Sequence, residues 1–435
     1  MKQMKKPFSE TITLEKIIGG GQALGTLTDG RKIFVWGGLP GEQVIVEVYK
    51  QKNKFAEGLV TEVITASKER EAARDPESYL STSPWQIMSF ASEQAHKSQL
   101  IKEAFELHHL ELAGAADMAT DDKTYEYRNK VEFSFYWDNE KNQLDLSFFR
   151  RGTQGKIPVE KTSLAMPIIN ETAQKILGLL RTRKHEAREL KTIMLRTNQA
   201  GKCVWQLYVK DKYFLTLSDQ EIASLTGFDN FEIIYSNPKS PASVITKRLQ
   251  THGDVSLSDT VLDVPFNYAV ESFFQGNIPV YEMALKDMQQ HIPEGPVIDL
   301  YSGVGSIGLT IGGDQVTLIE INESAVKEMN RNIAALGKAS NASAVLASVE
   351  SATDYILGDA TIILDPPRAG LHQNVTDRLL EVLPNRILYL SCNPVTQARD
   401  FSYLQDKYEI SFHRGYNFFP RTPHIEHLIV LDLKK

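Results

Sequence analysis

Residues 296–311 read PVIDLYSGVGSIGLTI, and the way that stretch divides decides the fold. An apolar run ends in Asp299, a turn follows with Gly303, Gly305 and Gly308, and an apolar helix start closes it. Glycines are needed where the backbone turns tightly and a ligand must come close. The next segment, DQVTLIEINESAVKEMNRNI (314–333), repeats the plan with a strand ending at Glu320, which is spaced to receive a ribose diol. Alternation continues through ATIILDPPRAGL (360–371) and VTDRLLEVLPNRILYLSCNP (375–394). An open α/β sheet is expected, with its ligands at the carboxyl ends of the strands, where Asp299, Glu320, Asp365 and Cys392 all fall.

Cys392 draws notice because the chain has only two cysteines, Cys203 and Cys392. Neither a disulfide framework nor a thiolate metal site can be assembled from them. A lone cysteine is most often a small buried hydrophobe, and Cys203, inside the apolar run CVWQLYV, fits that description. Cys392 instead sits where the sheet binds ligands, which favours a nucleophile.

A chain of 435 residues exceeds one hydrophobic core, so two or three domains are expected. No run reaches the roughly 18 to 20 apolar residues that span a bilayer, and MKQMKKPFSE carries charge with no apolar stretch behind it. A soluble cytoplasmic protein is expected, which the scarcity of cysteine supports. Net charge is -7, against a protein coated by nucleic acid over its whole surface but compatible with a local basic patch. Residues 1–68 have that bias, with ten Lys and Arg against seven acids. Their segments KIFVWGG, EQVIVEVYKQ and AEGLVTEVIT, separated by Gly, Asp and Pro, predict a small antiparallel barrel. GGGQALGTLTDGRKIFVWGGLPGEQV resembles a TRAM domain, an OB-like RNA-binding barrel, and such barrels use basic faces for single strands.

Residues 69–250 read as a mixed α/β central domain. The stretch SEQAHKSQLIKEAFELHHL predicts a helix near 93–113 that packs on the C-terminal domain, with Leu100, Ile101, Ala104, Phe105 and Leu107 on one face. Strand patterns follow at YEYRNKVEFSFYW, LDLSFFRRG, CVWQLYV and FEIIYSN. Arg128, Lys130, Arg150 and Arg151 are candidate phosphate contacts, although exposed cations on strands usually face water.

The Asp-Pro-Pro of 365–367 separates the C-terminal domain (251–435) from NAD-binding proteins, because that turn after a buried strand is a methyltransferase feature. Together SFFQGN (272–277), DLYSGVGSIGL (299–309), IEIN (319–322), DPPRAGL (365–371), SCNP (391–394) and HIEHL (424–428) resemble the S-adenosylmethionine-dependent RNA uridine-5-methyltransferases. The resemblance implies an α/β multidomain chain with a TRAM barrel, a central domain and a Rossmann-like class I methyltransferase domain. By motif, Gln275, Tyr301, Glu320 and Asp365, with Gly303 and Gly305, would hold the cofactor S-adenosyl-L-methionine. Cys392 would be the nucleophile, Glu426 the base, and Asp365 would orient the ring or the cofactor. The TRAM-like start implies 23S rRNA as substrate, with a tRNA T-loop uridine as the alternative, and a monomer with no membrane partner. Phe273, Phe274, Phe418 and Phe419 are candidates to line the base pocket, core packing being the equal alternative.

One departure stands out. Ribosomal members often carry an iron-sulfur cluster on four cysteines, where this chain reads YLSTSPWQIM and VEKTSLAM, so no cluster and no metal are expected. Apolar packing of Trp85, Ile87 and Met88 is expected in its place. The residue types suit the chemistry, because carbon 5 of uracil becomes nucleophilic only after a thiolate adds at carbon 6. Two other classes fit the sequence less well. An adenine amino-methyltransferase typically uses Asp/Asn-Pro-Pro-Tyr/Phe, whereas Arg368 follows these prolines and such chemistry needs no cysteine. An RNA-binding or RNA-folding protein with secondary catalysis is disfavoured by the intact Cys392, Asp365 and Glu426.

Overall fold

The structure is a computed structural model that describes residues 8–153 and 155–435. Five strands, Phe8–Ile17, Ala23–Thr26, Lys32–Trp36, Gln43–Gln51 and Phe55–Thr65, close into a barrel. Period-two alternation turns Ile12, Leu14, Ile33, Val35, Val44 and Val46 inward. The positive bias of this module needs correcting. Lys2, Lys5 and Lys6 lie outside the described residues, which leaves seven cations against the same seven acids. Several of those cations are paired, Lys32 with Glu15 at 2.9 Å, Lys50 with Glu57 at 2.5 Å, and Lys16 with Glu103 at 2.9 Å.

The central sheet has seven strands in the order Lys247–His252, Phe231–Tyr235, Cys203–Val209, Leu190–Thr197, Lys130–Asp138, Gln143–Phe149, Lys156–Pro158. Helix Pro167–Thr182 covers one face and shares a core with Phe133, Leu195 and Trp205. Cys203 belongs to that core at 4% exposure, and burial pushes its thiol up to about 11.

The C-terminal sheet has eight strands, in the order Ala342–Leu346, Val316–Glu320, Val297–Leu300, Thr361–Leu364, Arg386–Ser391, Glu426–Leu433, Tyr408–Tyr416, Met118–Ala119. The first five run parallel, and Glu426–Leu433 lies antiparallel to both of its neighbours. Chain order reverses at Val297–Leu300, whose partners are the strands that follow it on one side and Thr361–Leu364 on the other. Such a switch point opens a crevice at the carboxyl ends.

Residues 90–119 pack on this C-terminal sheet. Met118–Ala119 forms its edge strand beside Gly415–Tyr416, and the helix lies against helix Pro394–Leu404. That helix spans Phe90–Glu106 and starts at Ser89, whose side chain accepts from the Ser92 N–H at 3.2 Å. It stops short of the expected residue 113 because the chain turns within three residues, His109 taking a left-handed φ of 57°, and Leu107, expected on the apolar face, falls past the helix end and is 71% exposed.

Trp85, Ile87 and Met88 are buried in the core that joins the barrel to the C-terminal domain, each contributing about 2 kcal/mol through apolar burial. Apolar packing is only part of what binds the two cysteine-free stretches. A buried polar knot joins them, in which Gln86 Nε2 donates to Ser83 Oγ (2.7 Å) and to Asp75 Oδ2 (3.0 Å), and Ser163 Oγ donates to Asp75 Oδ2 (2.8 Å). With both partners present, such groups sit in the interior without the cost of unmade hydrogen bonds. Among the described residues no helix is long and apolar enough to cross a membrane.

Candidate active site

The glycine turn is built by one buried carboxyl. Asp299 Oδ2 accepts from the Gly308 N–H at 2.9 Å, and a Cβ at Gly308 would stand 2.8 Å from that oxygen, so only glycine fits. Burial pushes the Asp299 carboxyl up to about 8. Ser302 ties the strand ends together, its Oγ donating to Asp299 O at 2.6 Å. Tyr301 takes a left-handed φ of 65°, and its hydroxyl is buried with no partner. Gly303 has open space where a Cβ would be, and its N–H donates to Glu320 Oε2 at 2.9 Å; the other Glu320 oxygen accepts from Asn322 N at 2.7 Å. Strain of this kind in a non-glycine residue and an orphaned hydroxyl both point to a ligand position.

These groups line a cavity of about 650 Å³ with Gln275, Ser348, Asp365, Pro366, Cys392 and Glu426. A second cavity of about 330 Å³ is lined by Arg128, Lys130, Phe273, Phe419, His424 and Gly276. Gln275, Arg368, Cys392 and Glu426 border both, so the thiol and the carboxyl stand in the wall between the two. The thiol and the carboxyl therefore face two adjoining enclosures at once.

Local structure fixes the thiol. Strand Arg386–Ser391 ends at Cys392, and Asn393 caps helix Pro394–Leu404 by accepting from Val395 N at 3.3 Å. Asn393 Nδ2 and Thr396 Oγ1 both donate to Arg368 O, at 3.0 and 3.2 Å, which stitches the cysteine turn to the Asp-Pro-Pro-Arg turn. Burial, then Glu426 and Asp365, push the Cys392 thiol up to about 11, while Arg368 opposes them.

Asp365 keeps part of its surface open to the cavity, but crowding on its other sides strips it of water and pushes its carboxyl up to about 7. Glu426, 6% exposed, is driven well above the usual carboxylate range by burial and then by Asp365, with Arg368 and Lys97 acting the other way. Two neighbouring carboxyls that resist joint ionisation are suited to carrying a proton near neutral pH. Its neighbour His427 is a neutral core residue, with Nδ1 against Gln397 Oε1 at 2.7 Å.

The four candidate phosphate contacts do not form one group. Arg128 and Lys130 border the smaller cavity. Lys130 is largely out of water, donates to Glu271 O at 3.4 Å, and burial brings its ammonium down to about 8. Arg150 is exposed beside the turn after Gln143–Phe149. Arg151 lies in the barrel seam, where it donates to Leu80 O and sits 4.1 Å over the Trp36 ring, so its role there is structural. Of the aromatics, Phe273 is 70% exposed at the cavity mouths, Phe419 borders the smaller one, and Phe274, though packed in the core, lines both, whereas Phe418 is core alone.

Sequence reasoning missed the pairing of Arg368 with His424, whose Nδ1 accepts from the guanidinium at 2.8 Å. Burial, then Arg368, brings that imidazole down to about 4, so it stays a neutral acceptor. Both residues lie inside quoted motifs, but 56 positions separate them and no local pattern predicts the contact. Lys97 was missed as well. It is fully buried, 3.0 Å from Glu93, and donates to Asn417 Oδ1 at 2.6 Å beneath the loop leading to Glu426.

A family model described as tRNA (uracil-5-)-methyltransferase matches residues 90–434. An uncharacterized RNA methyltransferase of Enterococcus faecalis is 27% identical, over 99% of this chain and 99% of that protein. Another, from Fusobacterium nucleatum, is 26% identical over 97% and 95%. The structure of the Pyrococcus abyssi tRNA (uracil-54, C5)-methyltransferase in complex with S-adenosyl-L-homocysteine superposes with a TM-score of 0.78, at 21% identity, covering 97% of this chain and 100% of that one. At that identity the superposition speaks for the fold, a barrel followed by mixed α/β sheets. The matched span takes in the glycine turn, Asp365, Cys392 and Glu426, and the chain belongs to the tRNA (uracil-5-)-methyltransferase family, enzymes that methylate uracil in RNA.

Proposed function

We propose that this enzyme methylates carbon 5 of an unpaired uridine through a covalent bond between Cys392 and carbon 6. The observation that carries the reading is the shared wall, with Cys392 and Glu426 bordering both the larger cavity and the smaller one. The larger cavity fits S-adenosylmethionine, since it offers an orphaned Tyr301 hydroxyl, an open face at Gly303 and the Glu320 carboxylate. That cofactor supplies a methyl group as an electrophile. The smaller cavity suits an extruded base, and loops and single strands give up their bases at the least unstacking cost, a few kcal/mol.

In this reading the Cys392 thiolate forms a bond to carbon 6, and the ring electrons move onto the carbon 4 oxygen as an enolate. Carbon 5 would then take the methyl group, the bond from the methyl carbon to the donor sulfur breaking with its electron pair left on sulfur, so that a neutral thioether departs. Glu426 removes the proton from carbon 5, the electron pair restores the ring double bond, and the Cys392–carbon 6 bond breaks to return the thiolate. A carboxylate held above its usual range is a stronger base than one on the surface, which suits Glu426 to that step. Arg368 borders the same wall and Asp365 faces it from the larger cavity, placed to orient the ring or the cofactor.

The domain reading goes with it: residues 1–68 as a TRAM-type RNA-binding barrel, 69–250 as the central domain, and 251–435 as a Rossmann-like class I methyltransferase domain, in a cytoplasmic monomer. The closed barrel supports the first boundary, while Met118–Ala119, an edge strand of the C-terminal sheet, and Lys247–His252, which carries the central sheet past residue 250, cross the second. We take 23S rRNA as the substrate. A tRNA loop is the second reading, favoured by the Pyrococcus enzyme named for tRNA uracil-54, which superposes over 97% of this chain, barrel included. Mapping 5-methyluridine in total RNA with and without the gene decides between them. Loss from 23S rRNA supports the first reading, loss from tRNA the second, and an unchanged map in both overturns the proposal.

A further inference from the structure

The loop 269–276 carries Phe273 and Gln275, which border both cavities, while its backbone carbonyls are bonded by side chains from the central sheet and the turn before Lys130. One side chain meets four of those carbonyls. Arg196 lies on strand Leu190–Thr197, whose Ile193 and Leu195 face the central core, so alternation turns Arg196 to the opposite face. It is fully buried. Its Nη1 donates to Ser272 O at 2.5 Å and to Ala269 O and Val270 O at 3.3 Å, and its Nη2 to Phe274 O at 3.0 Å. The guanidinium also lies 4.4 Å over the Tyr268 ring, and no carboxylate is bonded to it among the described residues. Two neighbours extend the grip, Asn129 Nδ2 to Gln275 O at 3.1 Å and Lys130 Nζ to Glu271 O at 3.4 Å.

A buried guanidinium with no paired carboxylate is costly to keep, and a loop fixed only for stability would be served by apolar packing. What the guanidinium offers is a rigid planar fork that meets four carbonyls at once; a lysine has three donors on a single point. We propose that Arg196 is a positioning residue, holding loop 269–276 so that Phe273 and Gln275 keep the base and the donor aligned across the shared wall. The proposal rests on the reaction assigned above. Its consequence is a residue of the central sheet, touching neither ligand, that sets the rate of methyl transfer.

Single-turnover methyl transfer and RNA affinity are measured for wild type, Arg196→Met and Arg196→Lys, with thermal melting and amide exchange of 269–276 alongside. Folded Arg196→Met should lose about a hundredfold in rate, because a misplacement near 1 Å costs about that much. RNA affinity should move by less than about threefold, since the phosphate contacts lie elsewhere. Arg196→Lys should recover about tenfold of the loss by restoring a charged hydrogen bond. Amides of 269–276 should exchange faster in both variants. Wild-type rates in a folded Arg196→Met overturn the proposal. If that variant does not fold, Arg196→Lys decides: a lower rate at an unchanged melting temperature supports the proposal, and an unchanged rate overturns it. If neither variant folds, Arg196 is a residue of the fold alone and the positioning role falls. Failure of the reaction itself would show separately, as wild-type protein that makes no 5-methyluridine.

Discussion

Titration of Cys392 reads the electrostatics of the site directly. Burial, Glu426 and Asp365 hold the thiol at about 11 rather than the ordinary 9.0. At pH 8 about one thiol in a thousand is then ionised, against about one in ten for an unperturbed group. Only the thiolate alkylates, so iodoacetamide should modify Cys392 about a hundredfold more slowly than a free thiol of equal exposure. The logarithm of the rate should climb linearly with pH up to pH 10, with no plateau. Cys203, 4% exposed, is the internal control that stays unmodified.

Asp365, at about 7, is ionised throughout that range, so Asp365→Asn removes a negative neighbour and favours the thiolate. Because burial and Glu426 both weigh more than Asp365 on the thiol, the gain at pH 8 should be modest, about two- to fivefold. Peptide mass spectrometry of Cys392 gives the rates. A plateau near pH 9 in wild type, or slower alkylation in Asp365→Asn, would refute the reasoning.

Arg128→Gln should weaken RNA binding and reduce the slope of log affinity against log salt by about 0.7 to 0.9, as expected for one lost phosphate contact, with cofactor affinity unchanged. Arg151→Gln should instead lower the melting temperature and leave that slope alone, because its guanidinium is spent on Leu80 O and Trp36. Glu42→Gln should cost about 3 kcal/mol of stability in thermal denaturation, since fully buried Glu42 is bonded to Arg70 through both oxygens, at 2.5 and 2.7 Å. Burial raises that carboxyl, but Arg70 and the Ser67 and Leu39 N–H groups outweigh it and hold it below 4.5. Its contribution is therefore full above the ordinary carboxylate range and lost as pH falls through the lowered value, so wild type and variant should converge in acid.

The parts of the molecule legible in the sequence are those whose physics is local. Asp299, the glycine turn and Glu320 announce themselves because a strand end, a tight turn and a helix start lie within 25 residues of one another. Cys392 and Glu426 are legible through motifs, and the structure brings both to one wall. Three of the five barrel strands show as β-rich runs, but Phe8–Ile17 does not, since it buries only Ile12, Leu14 and Ile17 among polar neighbours. The helix at 90–106 is legible in its apolar face but not in its end, which a left-handed backbone at His109 sets. Arg196 looks like one cation in the strand TIMLRT. Its partners lie 73 to 78 positions away, and they are backbone carbonyls, which leave no mark on the side-chain pattern. The polar knot of Asp75, Gln86 and Ser163 was hidden for the same reason, since 88 residues separate Asp75 from Ser163.

The covalent bond between Cys392 and carbon 6 is the centre of the account, and Glu426→Gln tests it most directly. With the proton on carbon 5 left in place, elimination stops, and incubation with RNA and S-adenosylmethionine should yield a protein–RNA complex that survives denaturation. After nuclease and protease digestion, mass spectrometry should find the Cys392 peptide carrying a methylated uridine nucleotide, and Cys392→Ala in the same background should abolish it. Methylation that proceeds normally in Cys392→Ala, or a trapped nucleotide on any other residue, would contradict the account.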